Sequence, residues 1–575
     1  MIDRAILLVV GAGLVILPMT VVPGGADRFR LPKELLFRGE AIVLFALMLL
    51  RARNLRLPVR LSEWRREHLL AAAIVVWSII VTATSTHRAL SIDSLITILA
   101  AAVIFLATCI AAESLSHRAV DLLMPACCVN AVITILQENG IWSPIPVTEG
   151  HYGAVGLMGN ANDVGTFLAA PAVAAVVMAV TFTGKRRWLY LAIANLLVAG
   201  MIASATRTAL IAFVAAMIVL AIVQARRAAV VIAVVLVVVG LAVMSPATTL
   251  GRSARELGRA AVDRNYQLLF SERLLPFLAA VEMTRDHPVA GVGPGCFRFH
   301  YMSYRVALEE KYPPEWTRGY PMNWGAVHND YLQVAAETGV IGLLLFLAAI
   351  AILVARRGPP QEATFAGTLR WPLATVIFVV CLAQFPLELA APRLMFITLG
   401  AVCLTVPNIQ KRQLRLPHSK LVIVGIILIV ASAFAIYHLC VIPFRDNITL
   451  REIEERLSVA QSLDPGRAAS LARKNLDELR GIEQSQKLSP VWYTLYGANC
   501  EMLELWQEAA DIYTRALVID QRPELYLYRG LAMLHLGDIE HARADMITAV
   551  RFNPIILDQI TGELRTSVAA AAGVQ

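Results

Sequence analysis

The sequence predicts an all-α protein: a polytopic membrane bundle of about thirteen helices followed by a soluble, helical-repeat tail. Three observations predict it. Of 575 residues, 57% are hydrophobic and the mean hydropathy is +0.63, too apolar for an ordinary soluble protein. Runs of about 20 mostly uncharged residues, enough to cross roughly 30 Å of hydrocarbon, recur through most of the chain. Beyond residue 442 the composition turns polar.

The expected spans lie near 4–23, 34–50, 68–86, 93–112, 119–137, 162–183, 188–206, 208–225, 228–246, 336–355, 371–390, 392–408 and 420–442. The first is read as a span because no small-residue cleavage pattern follows its charged start. Basic residues in short loops set orientation. One alternate set, running from Arg51 through Arg118, Lys185 and Arg226 to Arg356 and Lys411, holds 18 Lys and Arg, against 6 in the other. The first set is therefore expected in the cytoplasm with the N-terminus, and an odd number of spans places the C-terminus outside. This divides the chain into membrane helices over 1–246, a long outward loop over 247–335, membrane helices over 336–442 and a soluble tail over 443–575.

The formal charge of +8 does not point to nucleic acid. Residues 442–575 hold 14 basic and 19 acidic residues, so the excess sits in the membrane part, where inside-loop arginines account for much of it. Six of eight cysteines fall in or beside spans, and no CxxC or other metal-type spacing appears. Neither zinc nor a disulfide framework is expected.

Two outward segments interrupt the hydropathy pattern. Residues 138–161 lead into Gly156-Leu157-Met158-Gly159-Asn160-Ala161-Asn162-Asp163. Residues 247–335 are too long for slack chain. There Leu268, Leu269, Leu274, Leu275, Leu278, Val281 and Met283 recur at near-helical spacing, suiting a segment that lies along the membrane face. Gly291-Val292-Gly293-Pro294-Gly295 then breaks the helix, and the chain re-enters the bundle at Val327-His328-Asn329-Asp330-Tyr331. The glycines lack a Walker lysine or a Rossmann strand and read as a turn. In the tail, Gly497, Ala509, Tyr513 and Ala516 are echoed 33 residues later by Gly530, Ala542, Met546 and Ala549. Such small residues at helix crossings look like the tetratricopeptide repeat, whose period is near 34.

Four positions carry candidate chemistry. Arg207, in Ser204-Ala205-Thr206-Arg207-Thr208-Ala209, sits at the outer junction of two apolar spans. It is either a headgroup-seeking arginine or, as a charge at membrane depth, functional. Arg273 follows Ser271-Glu272 and by itself reads as a surface arginine. His328 stands where the long loop returns to the bundle, with Glu337 nine residues on, and histidine is the side chain best suited to move a proton near neutral pH. Asn160, Asn162 and Asp163 open a span, where they either cap its helix or contact sugar hydroxyls. Glu40 and Glu388 are membrane charges without an obvious relay of partners.

Taken in order, Gly159-Asn160-Ala161-Asn162-Asp163, the Ser-Ala-Thr-Arg-Thr-Ala motif, the long loop with Asp286-His287-Pro288 and its glycine run, and His328-Asn329-Asp330-Tyr331-Leu332 with Glu337 and Gly339 resemble the O-antigen ligase and O-antigen polymerase superfamily. The resemblance covers roughly residues 1–410. It implies a glycosyltransferase of the bacterial inner membrane that works on the periplasmic side, with an undecaprenyl-diphosphate-linked glycan as donor. It further implies two arginines that bind the diphosphate, matched by Arg207 and Arg273 (with Arg264 and Arg285 as competitors for the second), and a histidine, matched by His328, as general base. Asn160, Asn162, Asn329 and Glu337 are the expected substrate-binding residues. No metal or other cofactor is expected. Expected partners are the lipid bilayer, the lipid-linked donor, a lipid A-core, glycan or protein acceptor, and a protein partner bound through the tail. The alternatives from other classes are a flippase or other transporter of lipid-linked sugars and a membrane-anchored repeat scaffold.

Overall fold

The computed structural model describes residues 2–52, 66–145, 154–224, 240, 245, 249–317, 323–355, 365–404 and 418–573. The secondary structure of the described residues is helical, with no strand among them. The membrane part begins with α1 (Ile2–Met19), α2 (Arg30–Ala52), α3 (Arg66–Thr84), α4 (Arg88–Leu115), α5 (Arg118–Glu138), α6 (Ala161–Thr181), α7 (Gly184–Ala203) and α8 (Arg207–Val223). The long loop contributes α9 (Thr249–Val262), α10 (Leu274–Asp286) and α11 (Phe297–Lys311), and the bundle resumes with α12 (Asp330–Ala355), α13 (Phe365–Cys381), α14 (Ala390–Leu404) and α15 (His418–Ile436). Among the described residues eight helices are long and apolar enough to cross a membrane, and α8, α13 and α14 are shorter apolar helices. The 23-residue α2 is interrupted by Arg30, Lys33, Glu34, Arg38 and Glu40. The expected span 228–246 lies almost wholly outside the described residues, so the figure of thirteen stands as an expectation.

Small side chains centre the bundle on α6, which is buried along nearly its whole length. A Cβ on Gly165 would lie 2.3 Å from Thr206, and one on Gly200 of α7 would lie 2.8 Å from Ala131 of α5. Close backbone approach of this kind replaces hydrophobic drive as the glue between helices in lipid. Outer helices leave apolar side chains uncovered, such as Leu8, Ile79, Ile80, Ile429 and Phe434, as a lipid-facing surface requires.

Two expected helices break where the site forms. The periodic run 268–283 is interrupted at Ser271 and Glu272, which adopt φ of 52° and 62°, and α10 starts only at Leu274. The expected span 371–390 ends at Cys381. Residues 382–389 form a non-helical connection with a short 3-10 turn at Pro386–Glu388. Left-handed backbone costs a non-glycine residue roughly 1–2 kcal/mol, so packing elsewhere must hold the first break.

α12 is itself broken at Gly339 (φ 70°, ψ −176°), which frees carbonyls inside the bundle. The glycine run supplies their donors: Val292 N–H to Ala336 O at 2.9 Å and Gly293 N–H to Glu337 O at 3.0 Å, while Val340 N–H reaches Pro288 O at 2.9 Å. Backbone groups left without such partners would be costly there. A Cβ on Gly339 would lie 1.9 Å from Val289 O. Gly339→Ala is therefore expected to destabilise the protein by about 3 kcal/mol, measured as a lower Tm in detergent together with faster amide exchange over residues 288–293.

The last apolar helix does not stop at the tail. It runs through a π-helical turn at Tyr437–Val441 into α16 (Ile442–Ala460), a turn type that absorbs irregularity within a continuous helix, here next to Pro443. The tail continues with α17 (Pro465–Gln486), α18 (Pro490–Met502), α19 (Trp506–Leu517), α20 (Pro523–His535), α21 (Ile539–Phe552) and α22 (Gly562–Ala572), each packed against the next. Gly497 and Gly530 mark crossings as their spacing suggests: a Cβ would meet Tyr513 at 2.2 Å and Ala542 O at 3.1 Å.

This tail is docked rather than free. Asn447 clasps the α1–α2 connection, accepting from Asp27 N–H at 2.8 Å and donating to Asp27 O at 2.9 Å, and its carbonyl accepts from Ala26 N–H. Asn323 donates to Asp520 at 2.8 Å, and Phe552, Ile519 and Tyr526 join the core formed by α10 and α11. Asn447→Ala should loosen the connection that leads to Arg30, at a cost of about 1–2 kcal/mol. Hydrogen exchange over residues 22–29 measures this directly.

Candidate functional site

The breaks at Ser271-Glu272 and 382–389 meet around Arg273. Arg207 begins α8 immediately after the Ser204-Ala205 turn, where Ala205 has φ 54°, and its guanidinium donates to Ser271 Oγ at 2.7 Å. Arg273 stands at the N-cap of α10 and donates to Ala383 O in the 382–389 connection at 2.6 Å. The interrupted loop helix thus serves both arginines, one through Ser271 and the other through its own turn.

The two cations lie within electrostatic reach of each other. Burial first, then repulsion from Arg207, lowers Arg273 from the usual guanidinium range to about 10, with Asp163 opposing the shift. Glu256 acts on Arg207 and Asp163 on Arg273, yet neither carboxylate forms an ion pair with them among the described residues, and two like charges so placed make a site suited to an anion.

His328 lies on the other side of Arg273. Its φ is 61°, and its ring is wedged edge-on between Trp324 (5.1 Å between centroids) and Phe385 (4.3 Å). Nδ1 is enclosed and has no hydrogen-bond partner among the described residues, so Nε2 is the nitrogen open to a substrate. Burial first, then Arg273 and Arg30, holds its pKa well below the ordinary histidine value. The ring is therefore neutral at pH 7 and able to accept a proton.

Arg30 and Asp163 complete the cluster. Arg30 donates to Asp163 at 3.0 Å, and its guanidinium lies 5.5 Å from the Phe385 ring. Sequence reasoning counted Arg30 only as a loop charge. The signal available was its position at a helix start on the same expected face as Arg207.

The other sequence candidates have local tasks. Asn160 caps α6 by accepting from Asn162 N–H at 2.9 Å. Asn162 Oδ1 meets Gln384 at 3.5 Å, which ties α6 to the 382–389 connection. Asn329 caps α12 through Leu332 N–H at 3.0 Å and donates to Leu382 O at 2.8 Å. Glu337 accepts from Gly295 N–H at 2.8 Å and Phe297 N–H at 3.2 Å, anchoring the glycine run. Asn162 and Asn329 thus reach the 382–389 connection that Arg273 also contacts, while Asn160 and Glu337 serve as local anchors. Of the competing arginines, Arg285 pairs with Glu282 at 2.6 Å and is largely exposed, while Arg264 is an exposed turn residue with φ 53°.

A buried charge network lies deeper in the bundle. Glu34 accepts from Arg38 (3.2 Å), Arg393 (3.1 Å) and Thr97 Oγ1 (2.6 Å), and Arg38 also pairs with Asp93 at 2.8 Å. Each charge there is balanced within α2, α4 and α14, and breaking such a pair is strongly destabilising.

No curated protein matches the chain. Residues 192–347 match the family described as O-antigen ligase. That segment contains Arg207, Arg273 and His328. This chain, with several helices long and apolar enough to cross a membrane, is similar over that segment to the O-antigen ligase family.

Proposed function

We propose that the protein is an inverting glycosyltransferase that moves a glycan from an undecaprenyl-diphosphate carrier to an acceptor hydroxyl, at the periplasmic face of a bacterial inner membrane. In this reading the N-terminus is cytoplasmic, and the long loop and tail are periplasmic. The observation that carries it is the meeting of Arg207, Arg273 and a desolvated His328 from three separate segments of the chain, inside the segment matched to the ligase family.

Cleaving the bond between the anomeric carbon and the diphosphate oxygen leaves negative charge on the departing diphosphate. Arg207 and Arg273 stabilise it with fork-shaped donors in a poorly solvated site. His328 Nε2 takes the proton of the acceptor hydroxyl as its oxygen attacks the anomeric carbon from the opposite face, which inverts the configuration. The leaving group departs as undecaprenyl diphosphate and the new glycosidic bond replaces the old. The arginines supply the positive charge this step needs, so the mechanism runs without a metal. The acceptor is a lipid A-core, a growing glycan or a protein.

The test reconstitutes purified protein in liposomes with fluorescent undecaprenyl-diphosphate glycan and each acceptor in turn, following transfer and transbilayer movement together. Transfer to one acceptor without net movement is expected. Movement without transfer would replace this reading with a flippase.

A further inference from the structure

The break at Ser271-Glu272 serves both Arg207 and Arg273, yet the chain leading into it is largely uncovered. α9 ends at Val262, and a turn over 263–265 leads to the one-turn helix Tyr266–Leu269. α9 packs against that turn of helix and against α7. Val262, Leu268 and Phe270 are exposed, and so is Trp316, whose ring meets Tyr266 edge-on at 6.2 Å between centroids. Apolar side chains scattered singly over a surface need no explanation, but four on one short hairpin and its neighbour make a patch.

Two contacts fix the level of this patch. Ser271, next to Phe270, accepts from the Arg207 guanidinium at 2.7 Å, and Arg207 opens the apolar helix α8. Glu256 of α9 acts on the same guanidinium. The patch therefore lies beside the boundary where α8 leaves hydrocarbon, at the height of lipid headgroups. The same hairpin carries an excess of one charge: residues 249–264 hold four arginines and two acidic residues. Arg255 and Arg259 are four residues apart and share one face of α9, with Leu257 and Ala261 on the opposite face, and Arg264 stands in the turn that follows. All three of these arginines are exposed, and none forms an ion pair among the described residues. A helix divided in this way suits the plane of the headgroups.

We infer that this hairpin docks on the leaflet at its end of the bundle, with Val262, Leu268, Phe270 and Trp316 entering the boundary between headgroups and acyl chains, and Arg255, Arg259 and Arg264 on the phosphates of anionic phospholipid. Docking supplies what the protein leaves open, a cover for the turn that runs into two left-handed non-glycine residues, Ser271 (φ 52°) and Glu272 (φ 62°). An anionic leaflet thereby steadies the segment from which Arg207 and Arg273 are both positioned. A glycan stacked on Trp316 is the rival occupant. Val262 and Leu268 offer a sugar ring no aromatic face, and a neutral sugar leaves the arginines unanswered, so the features together favour lipid.

Two readouts that need no transfer test this. The full-length protein is placed in nanodiscs of phosphatidylcholine alone or of phosphatidylcholine with phosphatidylglycerol, and amide exchange is followed over residues 262–273. Phosphatidylglycerol should slow that exchange by about fivefold for each arginine engaged. Arg255→Gln combined with Arg259→Gln should remove most of the lipid dependence, and the paired lysine variant should retain it, because the surface field acts on charge rather than on guanidinium shape. A phosphatidylglycerol with a photoreactive acyl chain should label residues 262–270, and Phe270→Ser should reduce the labelling. Exchange that ignores lipid charge in the wild type, or labelling confined to the apolar helices, would overturn the proposal. So would protection that appears only when undecaprenyl-diphosphate glycan is added to neutral nanodiscs, which would give the surface to the glycan. Lipid-dependent exchange in a protein that shows no transfer supports the docking surface and counts only against the transferase reading.

Discussion

Arg273→Ala is expected to slow glycan transfer by about a hundred- to a thousandfold, the usual effect of removing one preorganised donor from a developing anion. The fold should tolerate it. Arg273 gives the structure one bond, to Ala383 O, and its removal relieves repulsion with Arg207, so the change in stability should stay within about 1 kcal/mol. Arg207→Ala should behave alike, with Ser271 Oγ losing its partner. Because both forks act on one diphosphate, the double variant should fall well short of the product of the two losses. Lysine at 273 keeps the charge but not the two-pronged geometry, and should recover only part of the rate. Initial rates on proteoliposomes, beside Tm values, check all four. A double variant transferring at the wild-type rate would remove the arginines from the mechanism.

His328→Asn should cost a hundred- to ten-thousandfold in rate, the range of general base catalysis. Asparagine is the informative replacement because it tolerates the φ of 61° that alanine would resist. Donor binding should be unchanged. The acid limb of the pH profile carries further information. In the free protein burial and two arginines hold His328 well below the ordinary value, so kcat/KM should stay level through pH 6.5 and decline only at more acidic pH. A bound diphosphate offsets the arginine charges, which raises the histidine pKa, so the acid limb of kcat should lie at higher pH than that of kcat/KM. Coincident limbs at an ordinary histidine pKa would show that the ring is not the desolvated group described here.

The origin of the site explains which parts were legible in sequence. Arg207 is legible because it interrupts an apolar pattern, where a charge at a membrane boundary is informative by its cost, and His328 because a proton-moving side chain stands where the long loop returns to the bundle. The connection 382–389 did not stand out. Leu382, Ala383, Phe385 and Leu387 keep it apolar, so hydropathy continues through a turn that only Gln384, Pro386 and Glu388 betray. The break at Ser271-Glu272 has no glycine or proline to announce it, and it is held by contacts with Arg207 and Ala383 from distant segments. Arg30 gains meaning only from Asp163, 133 positions later. The docking of the tail rests on Asn447 meeting Asp27 across 420 residues. Helix periodicity reports which face is apolar; it carries no record of which two breaks will meet.

The configuration of the new glycosidic bond tests the central claim most directly. With a donor of known anomeric configuration, the purified protein and a defined hydroxyl acceptor, the product of a single turnover can be read by proton NMR. One displacement driven by His328 and stabilised by Arg207 and Arg273 predicts complete inversion at the anomeric carbon. Retention of configuration would require a glycosyl-enzyme intermediate, and would contradict the account.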